Sequence, residues 1–225
     1  MMQELSPVSL LADSIALSAR LDEDWSYDPR TGRYRAANGR FLSGATVEAI
    51  IDGRVNRTKS DLRALTASLA DGTLSLEQWQ VQVRAEIKRA HIQAALVGNG
   101  GQQGMDAAAW GRVGWRLREE YRYLEGFAKD LLEQRVSVPM ALARIGLYAD
   151  SVRGSYWTGT TIRQEKQGYT LMKRILDPQA QHCQDCLRYA AAGIVALGAL
   201  PMPGQRCECK ARCRCTIRYY RSQMP

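Results

Sequence analysis

The sequence predicts a mainly α-helical protein: a helical domain with an extended basic N-terminal arm and a small cysteine-rich module at the other end. Three observations predict it. From Lys59 to about Arg174, apolar residues recur at intervals of three and four, the period of one helix face. Upstream, residues 25–43 combine turn residues and arginines with few apolar side chains. Downstream, all six cysteines lie between Cys183 and Cys215, and the first 182 residues contain none. These shifts divide the chain into an N-terminal helix and arm (1–58), a helical domain (59–176) and a cysteine-rich module (177–225).

The arm has turn chemistry at Asp28-Pro29 and at Asn38-Gly39, with alternation around each, so it reads as extended chain with hairpins. Arg30, Arg33, Arg35 and Arg40 interleave with Tyr27, Tyr34 and Phe41, a pattern suited to a nucleic-acid strand through charge and stacking. A segment that lies across another subunit, or folds back on its own domain, has the same composition.

The helices follow in order. Ser60 precedes Leu62, Leu65 and Leu69 on one face, and Asp71-Gly72 ends that segment. Ser75 with Gln78 forms a capping box that opens a run through Trp79, Val83, Ile87, Ala90 and Ala94, stopping at Gly98-Asn99-Gly100-Gly101. A third helix starts near Asp106 and carries Trp110, Val113, Leu117, Tyr121, Leu124, Phe127 and Leu131. A fourth begins near Ser137, with Pro139 in its first turn, and aligns Leu142, Ile145, Tyr148, Ala149 and Val152. A fifth spans about 160–176. Aromatic residues in these stripes are core residues first.

At 225 residues the chain can bury a core without cross-links, so a cross-link confined to one end serves that end. No apolar run approaches the length of a membrane span, and the apolar stretch near the N-terminus lacks a basic segment before it and is interrupted by Glu4 and Asp13, so neither insertion nor a signal peptide is expected. A reducing compartment is expected, where clustered cysteines favour a metal over disulfides. The formal charge of +8 suits an anionic partner such as nucleic acid.

Cys183-x-x-Cys186 has the spacing that lets a tight turn present two thiolates to one tetrahedral ion, and zinc is the expected metal. Cys207, Cys209, Cys213 and Cys215 follow. Cys209 and Cys213 are spaced for a second knuckle, whereas Cys213 and Cys215 are closer than usual, so the first choice of ligands is Cys183, Cys186, Cys209 and Cys213. Arg206, Lys210, Arg212, Arg214 and Arg218 surround the second group; they offset the negative charge of a zinc-thiolate centre or face phosphate. A catalytic zinc needs an open position and a nearby acid or base. His91 sits mid-helix and His182 abuts Cys183, and neither begins a zinc-protease or deaminase pattern. His182 is a spare ligand, a donor to a ligand, or a bystander. With no phosphate-cradling loop either, no enzymatic activity is expected.

Residues 177–220, with Cys183-x-x-Cys186, the turn at Leu200-Pro-Met-Pro-Gly204 and the ending Cys209-x-x-x-Cys213-Arg-Cys215-Thr-Ile-Arg-Tyr, resemble the C-terminal region of tailed-phage minor head proteins of the Mu F-like head morphogenesis family. Upstream, the run from Tyr121 to Phe127 and the pair Tyr156-Trp157 look like the helices preceding that motif, less specifically. In the family, Cys-x-x-Cys is followed by a His and a Cys-Arg-Cys. Here Lys210 stands about where the His would fall, Cys209 is the nearest substitute, and Cys207 competes for that place. The resemblance implies a virion component assembled in the host cytoplasm with portal and capsid proteins, present in few copies, in contact with packaged DNA or with protein, and not an enzyme. The rival reading is a zinc-ribbon-like DNA-binding or packaging accessory protein; a metal-dependent nuclease or toxin is a further alternative.

Overall fold

The computed structural model describes residues 25–209 and 212–222. The helix expected near the N-terminus lies outside the described residues. The chain runs β1 (Trp25–Asp28), β2 (Arg33–Ala36), α1 (Gly44–Ala70), α2 (Leu76–Asn99), α3 (Ala107–Leu132), α4 (Val138–Lys166), β3 (Leu171–Ile175), α5 (Gln184–Ala191), β4 (Val195–Ala196) and β5 (Thr216–Tyr220). It is mainly helical, and a small cluster of cysteines follows the long helices. No helix among the described residues is long and apolar enough to cross a membrane.

The caps read from the sequence are the caps of the fold. Ser75 accepts from the Gln78 backbone N–H while the Gln78 side chain accepts from Ser75 N–H, and Gly100 closes α2 in the left-handed region at φ 85°. Asp106 caps α3, and Ser137 precedes α4. The four helices meet on Leu62, Trp79, Val83, Ile87, Val113, Leu117, Leu124, Phe127, Ile145 and Tyr148, the residues of the predicted stripes.

Three boundaries differ from the sequence reading. Helix α1 begins at Gly44, capped by Ser43, because Val47, Ile51, Val55 and Thr58 continue the stripe of Leu62 backwards and are buried. The expected fourth helix and the first part of the expected fifth are one element running to Lys166, in which Gly154 and Gly159 are places of close approach. The last stretch of the expected fifth helix is strand β3: Gly168, at φ 81°, ends the helical path, and Met172 and Arg174 then alternate as buried residues between half-buried neighbours.

The arm is a hairpin that folds back on the helices. β1 and β2 pair antiparallel with Tyr27 opposite Tyr34. Tyr34 is buried against Val47, Ile51, Val55, Ala94 and Val97, donates to the Val97 carbonyl, and accepts from Arg163 Nη1 at 2.6 Å. Tyr27 and Tyr34, which the pattern offers to stacking, are thus taken up by the protein's own core. Arg30, Arg33 and Arg40 remain exposed.

One polar group sits deep in the bundle. His91 is fully buried, with Nδ1 2.7 Å from Ser155 Oγ and Nε2 3.2 Å from Ser151 Oγ, near the Arg116–Glu120 ion pair at 3.2 Å. Burial, aided by the Arg116 charge, pushes the His91 pKa down to about 3. The unfolded chain takes up this proton below about 6.5 and the folded chain does not. Stability from this residue is therefore complete above pH 6.5 and is lost as pH falls towards 3, at about 1.4 kcal/mol per pH unit. Urea titrations over that window should show His91→Gln with a slope shallower by about one proton. An unchanged slope would mean that His91 does not stay neutral in the fold.

Candidate metal centre

Strand β3 is the middle of a three-stranded antiparallel sheet in the order β4-β3-β5, with Leu171 opposite both Ala196 and Tyr220, and Arg174 opposite Ile217. Met172, Ile217, Leu200 and Met202 pack on Trp157 of α4, which anchors the sheet to the helical body. The cysteines gather at the end of this sheet where β5 begins.

Cys183 is the N-cap residue of α5 and Cys186 lies in its first turn, so one turn of helix presents both sulfurs to one side. The loop before β5 brings the other four. Asp185 ties loop to helix: one carboxylate oxygen accepts from the Glu208 backbone N–H at 3.2 Å and the other from Arg188 at 2.8 Å. The Tyr189 hydroxyl donates to the Arg206 carbonyl at 2.5 Å. Cys186, Cys207, Cys213 and Cys215 are buried, and Cys183 and Cys209 are half-buried.

The sulfurs form two sets whose members all lie within 4.8 Å of one another: Cys183, Cys186, Cys207 and Cys209, and Cys186, Cys213 and Cys215. Cys186 belongs to both, 3.9 Å from the Cys209 sulfur and 3.6 Å from that of Cys213. Of the four ligands first chosen from spacing, Cys183, Cys186 and Cys209 come together with Cys207, while Cys213 joins Cys186 and Cys215. His182 stands at the edge, with Nδ1 3.8 Å from the Cys215 sulfur.

The electrostatics divide the six thiols, lowering Cys183 and Cys213 and raising Cys186, Cys207, Cys209 and Cys215. Burial raises the Cys183 thiol, but the backbone N–H of Cys186 and the neighbouring cysteines outweigh it and bring the pKa down to about 7, as expected at a helix N-terminus. Hydrogen bonds from Cys207 and Cys215 hold the Cys213 thiol far below its usual range. Those contacts, together with burial, push Cys207 and Cys215 up, and burial pushes Cys186 up to about 12.

Arg174 gives the strongest sign that the cluster carries negative charge. It is 1 % exposed and has no carboxylate partner among the described residues. Its guanidinium donates to the Pro201 carbonyl, lies 3.8 Å from the Cys213 sulfur and covers the Tyr189 ring, and its Nε has no partner. A buried guanidinium needs an anion nearby, and among the described residues only sulfur is placed to provide it. The sequence reading missed Arg174 because it assigned the segment to a helix; the alternation after Gly168 was the available signal.

Six clustered thiols, partly ionised and faced by a buried cation, suit a soft-donor metal such as zinc. Compared with family models, with curated proteins and with solved structures, the chain matches none.

Proposed function

We propose that this chain is a structural component of a tailed-phage head, a minor head or head-to-tail vertex protein acting in head morphogenesis with portal and capsid, whose cysteine module is held by zinc and docks on a partner without doing chemistry. One observation carries the reading: the residues that resemble the Mu F-like motif form one physical unit. Cys183 at the N-cap of α5 and Cys186 in its first turn meet Cys207 and Cys209 from the loop, Cys186 also meets Cys213 and Cys215, and the segment Cys213-Arg-Cys215-Thr-Ile-Arg-Tyr passes straight from the thiol cluster into β5. A buried, thiolate-rich set of this kind holds structure in loop-rich chain that has too little apolar surface to fold alone. Leu187, next to Arg188 in the chain, is 42 % exposed and Ile194 is 53 % exposed, so the module offers a partner apolar contacts.

Mass spectrometry of purified particles tests it. The chain is expected in the virion at a few copies per portal ring, and its absence from intact particles would overturn the reading.

The charge of +8, with Arg206, Arg212, Arg214 and Arg218 exposed around the module, favours a second reading, a DNA-binding or packaging accessory protein. A salt titration separates the two, because phosphate contacts release counterions and weaken steeply with salt. The head-protein reading expects feeble duplex binding near physiological salt. Tight binding there, abolished by Arg212→Ala with Arg214→Ala, would favour the accessory protein.

A further inference from the structure

The cysteine cluster contains more donors than one four-coordinate ion can use. In a tetrahedral zinc-thiolate centre, bonds of about 2.3 Å set neighbouring sulfurs about 3.8 Å apart. Around Cys186 that separation occurs twice, towards Cys209 at 3.9 Å and towards Cys213 at 3.6 Å, and the two neighbours belong to different sets. The first set already has four sulfurs. The second has three, all buried.

A fourth donor for the second set stands at its edge: His182 lies next to Cys215 but outside the group of three sulfurs that are all within 4.8 Å of one another, so its ring must swing inward to complete the site. His182 Nε2 lies 2.7 Å from the Asp177 carbonyl oxygen. A carbonyl only accepts, so Nε2 carries the proton, and in the neutral ring Nδ1 is left with a bare lone pair. That nitrogen is the one 3.8 Å from the Cys215 sulfur. A histidine whose far nitrogen is tied to a backbone carbonyl is oriented as metal-bound histidines are. Two tetrahedral ions that share one ligand need seven donor atoms, and the six cysteine sulfurs with His182 Nδ1 supply that number.

We propose that the module holds two zinc ions: one bound by Cys183, Cys186, Cys207 and Cys209, the other by Cys186, Cys213, Cys215 and His182, with the Cys186 sulfur bridging them. Two dications and six thiolates leave a net double negative charge, which Arg174 partly offsets from the buried side next to Cys213. The Cys-x-Cys pairs, too close to serve as ordinary knuckles, each fall on a single ion. The inference rests on the zinc-module reading and adds the second ion.

Native mass spectrometry of the full chain, purified reduced from zinc-supplemented cells, tests it. Two zinc ions per chain are expected in the wild type, one in His182→Ala, and two again in His182→Cys, which restores a donor at that place. Cys186→Ser should lose both. One zinc in the wild type overturns the second site and leaves the zinc-held module standing; no zinc overturns both. Two ions in His182→Ala would remove His182 from the ligand set.

Discussion

Stripping zinc from the reduced protein with a strong chelator is expected to unfold the cysteine region while α1 to α4 persist. The region around α5 and the loop before β5 owes its packing to sulfur: the cluster there consists of the cysteines with Leu176 and Tyr189 at its margin. The loop has few backbone hydrogen bonds of its own, among them Gln205 N–H to the Met202 carbonyl and Arg212 N–H to the Cys209 carbonyl, both at 3.0 Å. Structural zinc typically contributes about 10 kcal/mol or more to the folding of such units, far beyond what this small apolar contact supplies. Hydrogen exchange should therefore show protection lost over residues 183–215 on chelation and retained in the helices. Cys186→Ser should reproduce the chelated state more fully than Cys209→Ser, because Cys186 is fully buried and belongs to both sulfur sets. Equal and small effects of both substitutions, with chelation changing nothing, would mean that the module stands without metal.

Gly159→Ala and Gly98→Ala are expected to be the most damaging of the small substitutions in the helical body. A Cβ at Gly159 would stand 2.0 Å from the Ala95 carbonyl oxygen, and one at Gly98 would stand 2.1 Å from that of Tyr156. Both clashes are with backbone, so α2 and α4 would have to separate and loosen the packing of Ala94, Ala95, Val97 and Val152. Each change should lower stability by about 3 kcal/mol or more, despite the better helix propensity of alanine. Gly53 and Gly126 are mid-helix and exposed, with nothing within 4 Å of a new Cβ, so alanine there should raise stability by roughly 0.5–1 kcal/mol. Urea denaturation of the four variants checks the contrast. A mild effect at Gly159 would mean that the two helices are not in backbone contact.

The basic hairpin presents a different surface from the cysteine module. The hairpin keeps Arg30, Arg33 and Arg40 exposed but has Tyr34 buried and Tyr27 half-buried, leaving Phe41, 44 % exposed beneath Arg33 and Arg35, as its exposed ring. Such a surface suits an acidic protein face better than a run of stacked bases, which needs several free rings.

The helical class, the caps at Ser75, Gly100 and Asp106, the start of α4 after Ser137 and the core stripes were legible in the sequence, because they depend on local hydrogen bonding, on proline in a first turn and on the 3.6-residue period. The sequence also located the cysteine cluster, since closely spaced thiols need no fold to be seen. Tertiary structure decided the rest. The first half of α1 has glycine and β-branched residues that discourage a helix locally, and it is helical because Val47, Ile51 and Val55 are covered by the hairpin and α2. Gly154 and Gly159 serve as contacts within α4, because the Arg116 side chain and the Ala95 backbone occupy the space their missing side chains leave. The grouping of the sulfurs around Cys186 could not come from spacing, because it depends on how the loop after Gly204 returns over α5, held by Asp185 and Tyr189. Arg174 acquired its place beside Cys213 for the same reason: a strand's alternation sent it inward, where the cysteine sulfurs are.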